Sequence, residues 1–337
     1  MKDEILISIT ILNHNYGKYI LKMLNSIKNQ SFKNYEIVIL DDASEDDSIN
    51  IINKFISKNQ NLKIKFIKQT KNLGTFASRE KVLKSSSGKY ILFCDADDYL
   101  EENCLEEYAK IINKKEYDRI IGIIREVDSN NKTLQIQDMV DNPSKWMYTM
   151  FHASIFKKEI FEKNKFEFNL NMFYDDAYIT SYFNLYAEDT FFIHKVIYNW
   201  VIHEGSMSSS KKDEKNMTDI INYFSSMKDL YSKINNPNDI YEFEYQLIKF
   251  YYYSIYHCFR YSSLKQKINA WKTLNKEFKQ LAPNYKRNPL IKILYPTPVR
   301  KYGKILVWVS VMLEKLHMMK FALIGYHIIS KFYYFNI

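Results

Sequence analysis

Three carboxylates crowd positions 95–98, where Asp95, Ala96, Asp97 and Asp98 follow the apolar run Tyr90, Ile91, Leu92, Phe93 and Cys94. Ionised carboxylates packed this closely repel one another, which raises at least one pKa unless a cation neutralises them. Hard divalent ions such as Mg²⁺ or Mn²⁺ take oxygen ligands, and Mg²⁺ typically combines one or two carboxylates with the phosphates of a substrate. On a strand Asp95 and Asp97 point the same way, and Asp98 can swing in from the turn. The competing reading is a solvated acidic turn that caps a helix starting near Leu100, since Asp is common in turns and caps.

The elements that must position the cluster weigh against that second reading. Residues 5–12 are almost continuously apolar and end in Asn13, His14, Asn15, Tyr16 and Gly17, the pattern of a buried strand leaving into a loop. Residues 19–28 carry Ile20, Leu24 and Ile27 at helical spacing. Residues 36–40 predict a second strand with its exit at Asp41, Asp42, Ala43 and Ser44; a second helix follows at 48–56 and a third strand at 62–67. Asn72, Leu73, Gly74 and Thr75 predict a turn, with Thr75 as N-cap of a helix through Leu83. Residues 85–88 break that helix, and the strand at 90–94 delivers the acidic cluster.

Strand and helix alternating four times predict an α/β fold with a mostly parallel sheet flanked by helices. In such sheets ligands bind outside the carboxyl ends of the strands. Segments 13–17, 41–44, 72–75 and 95–98 occupy that address, and three of them lie directly at a strand end. This coincidence turns the acidic cluster from a capped turn into a ligand site.

Composition sets the outer bounds. The chain has 337 residues, room for one large domain with a smaller one, and 46% hydrophobic with 26% charged residues suffices to bury a core. Cys94, Cys104 and Cys258 are odd in number and lack paired spacing, which points away from a disulfide framework or zinc site and toward a reducing cytoplasm. The N-terminus carries acids where a signal peptide would be basic, so export is not expected. No uncharged apolar run approaches the roughly 20 residues of a membrane span. The formal net charge of +9 reads as a lysine-rich solvated surface. No nucleic-acid-binding signature accompanies it, although a basic surface favours anionic lipid.

Beyond a strand candidate at 119–124 the alternation weakens. Residues 139–156 are aromatic and Met-rich, Asp175 and Asp176 form a second acidic pair, 191–201 resemble a strand, and 206–215 read as a loop near a domain boundary. From Met217 the sequence is helical, punctuated by Pro283, Pro289, Pro296 and Pro298. The expected division is a catalytic domain at 1–210 and a helical region at 211–337. Within the latter, 304–335 would pack on the catalytic domain or a second subunit, or lie on a membrane surface as an amphipathic element.

Four motifs together resemble the family 2 glycosyltransferases of GT-A fold: residues 7–20 with Asn13 and Asn15; 35–46 with Asp41 and Asp42; Asn72, Leu73 and Gly74 with Ala77, Ser78 and Arg79; and 88–98 with the acidic cluster. Their order and spacing match over roughly the first hundred residues. The resemblance implies an inverting, metal-dependent enzyme of the surface-polysaccharide type that uses a nucleotide-sugar donor, most often a UDP-sugar. Leu12, Asn13 and Asn15 would line the nucleotide pocket, Asp42 would bond the base, and Arg79 would approach the donor sugar or phosphates. Asp95, with Ala96, would approach the ribose or sugar. Asp97 and Asp98 would hold Mn²⁺ or Mg²⁺, with His203 as a further candidate ligand. Asp176 would be the general base and Asp175 its partner near the acceptor, with Ser206 in a loop over the diphosphate. Capping remains the alternative for Asp41, Asp42 and the second pair, and a surface ion pair for Arg79.

The expected acceptor is a saccharide or lipid-linked glycan, with the cytoplasmic membrane face and a second copy of the chain as further partners. Two rivals remain at this stage. A sugar-phosphate nucleotidyltransferase would need a Gly-rich phosphate loop, and 13–18 holds a single glycine. A non-catalytic nucleotide-sugar-binding module would not need Asp97, Asp98 and Asp176 together.

Overall fold

The computed structural model describes residues 4–137, 143–164, 166, 174–203, 214–293 and 301–330. They belong to two units: Met1–Met139, Met150–Asp175 and Tyr186–Ser206 form the first, and Val140–Thr149, Asp176–Leu185 and Met207–Ile337 the second.

The first unit begins with β1 (Ile7–Asn13), α1 (Gly17–Lys28), β2 (Tyr35–Asp41), α2 (Ser48–Lys58), β3 (Ile64–Lys68), α3 (Thr75–Ser85) and β4 (Tyr90–Asp95). It continues through β5 (Tyr99–Leu100), α4 (Cys104–Ile112), β6 (Arg119–Asp128), β7 (Thr133–Ile136), β8 (Ser154–Lys157) and α5 (Lys158–Lys163). After α6 (Asp175–Tyr186), β9 (Thr190–Ile202) completes one sheet of order β3-β2-β1-β4-β8-β6-β9-β5, with β7 on β6. The strands β3, β2, β1 and β4 are parallel, as the alternation predicts; β8 pairs antiparallel with β4 and β6.

The apolar strand sequences reflect burial on both faces. Ile37 and Ile39 join the main core with Ile7, Ile9 and Ile11, while Val38 and Leu40, one residue out of phase, pack with Val82 of α3. Ile20, Met23, Leu24 and Ile27 line one stripe of α1 and are fully buried in the main core. Register aligns the polar strand ends, setting Asn13 opposite Asp41 and Leu12 opposite Asp95.

Two local expectations are corrected. Thr75 is the first residue of α3, and the N-cap is Gly74, whose φ of 83° lies where a side chain would be strained. No helix starts near Leu100: Tyr99 and Leu100 form β5 against Asn199 and Tyr198, and α4 begins at Cys104. Backbone pairing at that point removes the capped-turn reading of the acidic cluster.

The second unit is helical: residues 176–185 of α6, then α7 (Glu214–Ser232), α8 (Pro237–Tyr253), α9 (Leu264–Leu281), α10 (Lys301–Lys315) and α11 (Met319–Ile329). Asn236 caps α8 with Pro237 in its first turn, and Ser263 with Gln266 forms a capping box on α9. Segments Val140–Thr149 and Asp176–Leu185 lie within the expected 1–210 region but cluster here. Trp146 explains part of this, since its Nε1 donates to Asp239 at 2.9 Å and its ring meets Phe243 edge-on, while Asn184 donates to the Lys145 carbonyl. The aromatic surplus packs as stacked rings such as Tyr251 on Phe278, 4.6 Å apart. Tyr251, Tyr285, Trp271 and Asn275 converge on the buried carboxylate of Glu314. Among the described residues no helix is long and apolar enough to cross a membrane.

Candidate active site

The carboxyl ends of β1, β2 and β4 carry the site of the first unit. Asn13 is buried and donates to Asp41 Oδ2 at 2.7 Å and to Ser44 Oγ at 3.1 Å, which leaves its own Oδ1 without a partner. Asp41 also accepts from the Ser44 amide and hydroxyl, so it closes the turn after β2. Asn15 is exposed with φ of 60°; its Oδ1 accepts from the Glu45 amide and its own amide donates to Ser44. Ala43 shares that left-handed conformation at φ 59°, so two non-glycine residues hold unfavourable backbone angles in adjoining loops. The buried Asp42 carboxylate accepts from the Leu73 and Gly74 amides and from Gln69, anchoring the 69–74 segment beside β1 and β2.

Arg79 on α3 is buried, so its alternative as a surface ion pair is excluded. Its Nε meets Asp175 Oδ2 at 2.6 Å, its Nη2 meets Asp95 Oδ1 at 2.8 Å, and the guanidinium lies 4.1 Å from the Phe151 ring centroid. Burial opposes its charge, but Asp175 and Asp95 overcome that and raise its pKa. Nη1 remains a buried donor with no partner, suited to an incoming oxyanion.

The acidic cluster divides. Asp95 also meets His152 Nε2 at 2.9 Å. Burial alone would raise its pKa, yet the Arg79 guanidinium and His152 hold the carboxyl well below the usual carboxylate range. Asp98 is buried and accepts from the Val201 amide at 2.8 Å and Tyr198 hydroxyl at 2.7 Å. Burial, followed by repulsion from Asp97, pushes its pKa well up; burial and Asp95 raise Asp97. Asp97 Oδ2 meets His203 Nε2 at 3.0 Å, and the His203 ring stacks on Tyr19 with centroids 4.3 Å apart. Ala96 is buried and Leu12 half-buried.

One ligand atom each from Asp95, Asp98 and His152 lie within 4.8 Å of one another. Two carboxylates and an imidazole fit Mn²⁺ or Mg²⁺, with Mn²⁺ the better match to the nitrogen. Of the expected set Asp97, Asp98 and His203, Asp98 groups with Asp95 and His152, while Asp97 pairs with His203 and acts on Asp98 through its charge. Sequence reasoning missed His152 and Tyr198, each distant from the motif in the chain. A histidine next to Ala153, which itself has φ 53°, carries no motif that would flag it.

Asp175 joins Arg79 rather than standing free, and Asp176 begins the second-unit part of α6, its Oδ1 accepting from the Ala177 amide. Burial and then Asp176 raise the Tyr223 hydroxyl pKa. Ser206 lies outside the described residues.

The strand ends thus gather paired carboxylates, a buried arginine and an imidazole at the edge of the sheet where ligands of such folds bind. The family described as Glycosyl transferase family 2 matches residues 8–186, more than half of the chain, and the chain belongs to it. Among curated relatives, glycosyltransferase GlyG of Streptococcus pneumoniae serotype 4 is 26% identical over 242 residues, covering 65% of this chain and 78% of that protein. The poly(ribitol-phosphate) beta-N-acetylglucosaminyltransferase TarP of Staphylococcus aureus is 26% identical over 243 residues, covering 68% and 72%. Other relatives are far longer: the match spans 31% of GlyA from the same pneumococcus. The crystal structure of S. aureus TarS 1-349 in complex with UDP-GlcNAc superposes with a TM-score of 0.72 at 20% identity, covering 93% of this chain and 92% of that one. The fold is thus GT-A with a helical C-terminal region, and the protein is a glycosyltransferase, which sets aside both rival readings.

Proposed function

We propose that this enzyme is an inverting, metal-dependent transferase that moves a hexosyl or N-acetylhexosaminyl group from a UDP-sugar to a saccharide or lipid-linked acceptor in cell-surface glycan synthesis. The observation that carries this is the Asp95, Asp98 and His152 grouping beside the unpartnered Arg79 Nη1 at the strand ends. The neighbouring TarS complex with UDP-GlcNAc and relatives named for poly(ribitol-phosphate) glycosylation support the donor and the acceptor class.

Asp95, Asp98 and His152 would hold Mn²⁺ or Mg²⁺, with Asp97 and His203 beside them. When bound, the ion neutralises charge on the diphosphate leaving group. Arg79 binds phosphate oxygens through Nη1 while Asp95 and Asp175 fix its plane. Asn13 Oδ1 and the Asn15 and Asp42 loops receive the nucleoside. Asp176 takes the proton of the acceptor hydroxyl as that oxygen attacks the anomeric carbon opposite the leaving group, and a single displacement inverts the configuration. The exposed Phe321, Ile328 and Ile329 of α11, with Lys320 among them, suit an anionic membrane face, so the enzyme would act in the cytoplasm at the membrane surface.

Calorimetry of UDP with and without Mn²⁺ tests the donor and metal. Mn²⁺ should tighten UDP binding and Asp98→Ala should remove that gain; equal affinity with and without the ion refutes metal dependence. Asp176→Asn should lower transfer by about a hundredfold or more while sparing UDP binding.

A further inference from the structure

The second unit holds a half-open cavity of about 210 Å³ lined by α7, α8 and α10, with Thr149 and Ala177 completing it. Its lining is largely aromatic and aliphatic, including Tyr223, Phe250 and Val307, so the polar groups in it need an explanation. Gln246 is more than nine-tenths buried and its Oε1 has no hydrogen-bond partner. Lys249, one turn along α8, is half-buried, and no carboxylate pairs with it among the described residues. Its ammonium lies 5.9 Å from the centroid of the Tyr245 ring. The charge that acts on it is Lys304 of α10, next to the cavity residue Gly303, and that charge is repulsive. Lys304 is itself without an ion pair among the described residues.

A half-buried ammonium is normally paired, or extends its stem to put the charge in water. Lys249 at the wall of the cavity has no such pair among the described residues, and an anion beside it would offset the repulsion from Lys304. Burial and Lys304 lower the Lys249 ammonium to about 7, in keeping with a missing counter-charge. The cavity wall at Ala177 follows Asp176 directly in the chain.

We propose that this cavity binds an anionic group of the acceptor, a phosphate or carboxylate, with Lys249 as the anchoring cation, Lys304 as a second positive charge and Gln246 Oε1 accepting from a neighbouring hydroxyl. The proposal rests on the reading of Asp176 as general base, and it narrows the acceptor to one whose reactive hydroxyl stands close to a negative charge. It makes Lys249 a specificity-determining residue, since a neutral glycan would leave the ammonium unpaired.

The test is calorimetric titration of the full chain, with and without UDP and Mn²⁺, using a glycerol phosphate trimer, a uronic-acid trisaccharide, farnesyl diphosphate and neutral maltotriose. At least one anionic compound should bind, maltotriose about tenfold more weakly or not at all, and the anion that binds names the source of the charge. Lys249→Met should weaken that binding by about tenfold or more, whereas Lys249→Arg retains most of it. Inorganic phosphate should raise the Tm of the wild type and leave that of Lys249→Met unchanged, which separates lost binding from lost folding. Binding of every compound unaltered by Lys249→Met, or maltotriose bound as tightly as the anions, overturns the proposal. Asp176→Asn keeps the two readings apart: transfer surviving in that variant refutes the base, while the Lys249 dependence of anion binding stands or falls by itself.

Discussion

Glu314 in the helical unit and Asp98 in the sheet unit are both buried carboxylates, and their surroundings differ in kind. Glu314 accepts from Tyr251 at 2.8 Å, from Trp271 Nε1 at 3.0 Å, from the Tyr285 hydroxyl and from Asn275 Nδ2, with Lys286 at 3.8 Å. Donors surround a single acid. Asp98 has two donors, Val201 and Tyr198, and shares its neighbourhood with Asp95 and Asp97. Both acid neighbours repel its charge. A carboxylate saturated by neutral donors ties elements together, because removing it strands several buried polar groups. A crowded set of carboxylates weakens the fold and is retained for what it binds.

The strongest way to break this comparison is Asp98→Asn. An amide keeps an acceptor for the Val201 amide and can donate to Tyr198, while relieving repulsion with Asp97. Transfer activity should fall by about a hundredfold, as is usual when a ligand in an ion site is neutralised. The Tm in chelator should hold or rise. Activity assays paired with thermal denaturation check it, and a Tm that falls with activity intact would place Asp98 in the same class as Glu314.

The converse substitution, Glu314→Gln, should behave oppositely. It turns one acceptor oxygen into a donor that faces tyrosine, tryptophan and asparagine donors, at a cost of about 2 kcal/mol in denaturant unfolding. UDP affinity should not move. A normal unfolding midpoint would mean that the aromatic packing around Glu314, such as Tyr251 on Phe278, holds that region without the network.

The two centres also differ in how far the chain reveals them. The sheet unit was legible because burial on both faces writes continuous apolar strands, and because parallel topology forces every strand exit to one edge. Asn13, Asp41, Asp42 and Asp95 follow from that rule alone. What stayed hidden came from antiparallel pairing: β5 has two residues, too few for any periodicity, and Tyr198 and His152 reach the cluster from distant segments. The assignment of Asp95 to the sugar and of Asp97 with Asp98 to the ion used order along the chain, whereas the grouping with His152 depends on side-chain direction. In the helical unit, helical character was readable from Met217 onward, though not the bounds of the separate helices. Glu314 and Lys249 look like ordinary charged residues of amphipathic helices, and nothing local separates a saturated acid from an unpaired base.

Lys249 is a third kind of charge, half-buried and without a carboxylate partner among the described residues, and the smallest effect separates it from the other two. Burial and Lys304 lower its folded ammonium to about 7, below the ordinary lysine value of 10.5. Between those values the unfolded chain holds more proton than the folded one, so the contribution of Lys249 to stability rises with pH across that window and is at its least near and below about pH 7. Lys249→Met removes the dependence. Without ligand, the variant should gain a few degrees in Tm at about pH 7 and progressively less toward about pH 10, measured by thermal denaturation across that range. A gain independent of pH would mean that packing, not charge, is what the methionine improves. A loss at every pH would mean that the lysine stem carries the cavity wall, and the ammonium would then be a surface charge that happens to lie beside Lys304.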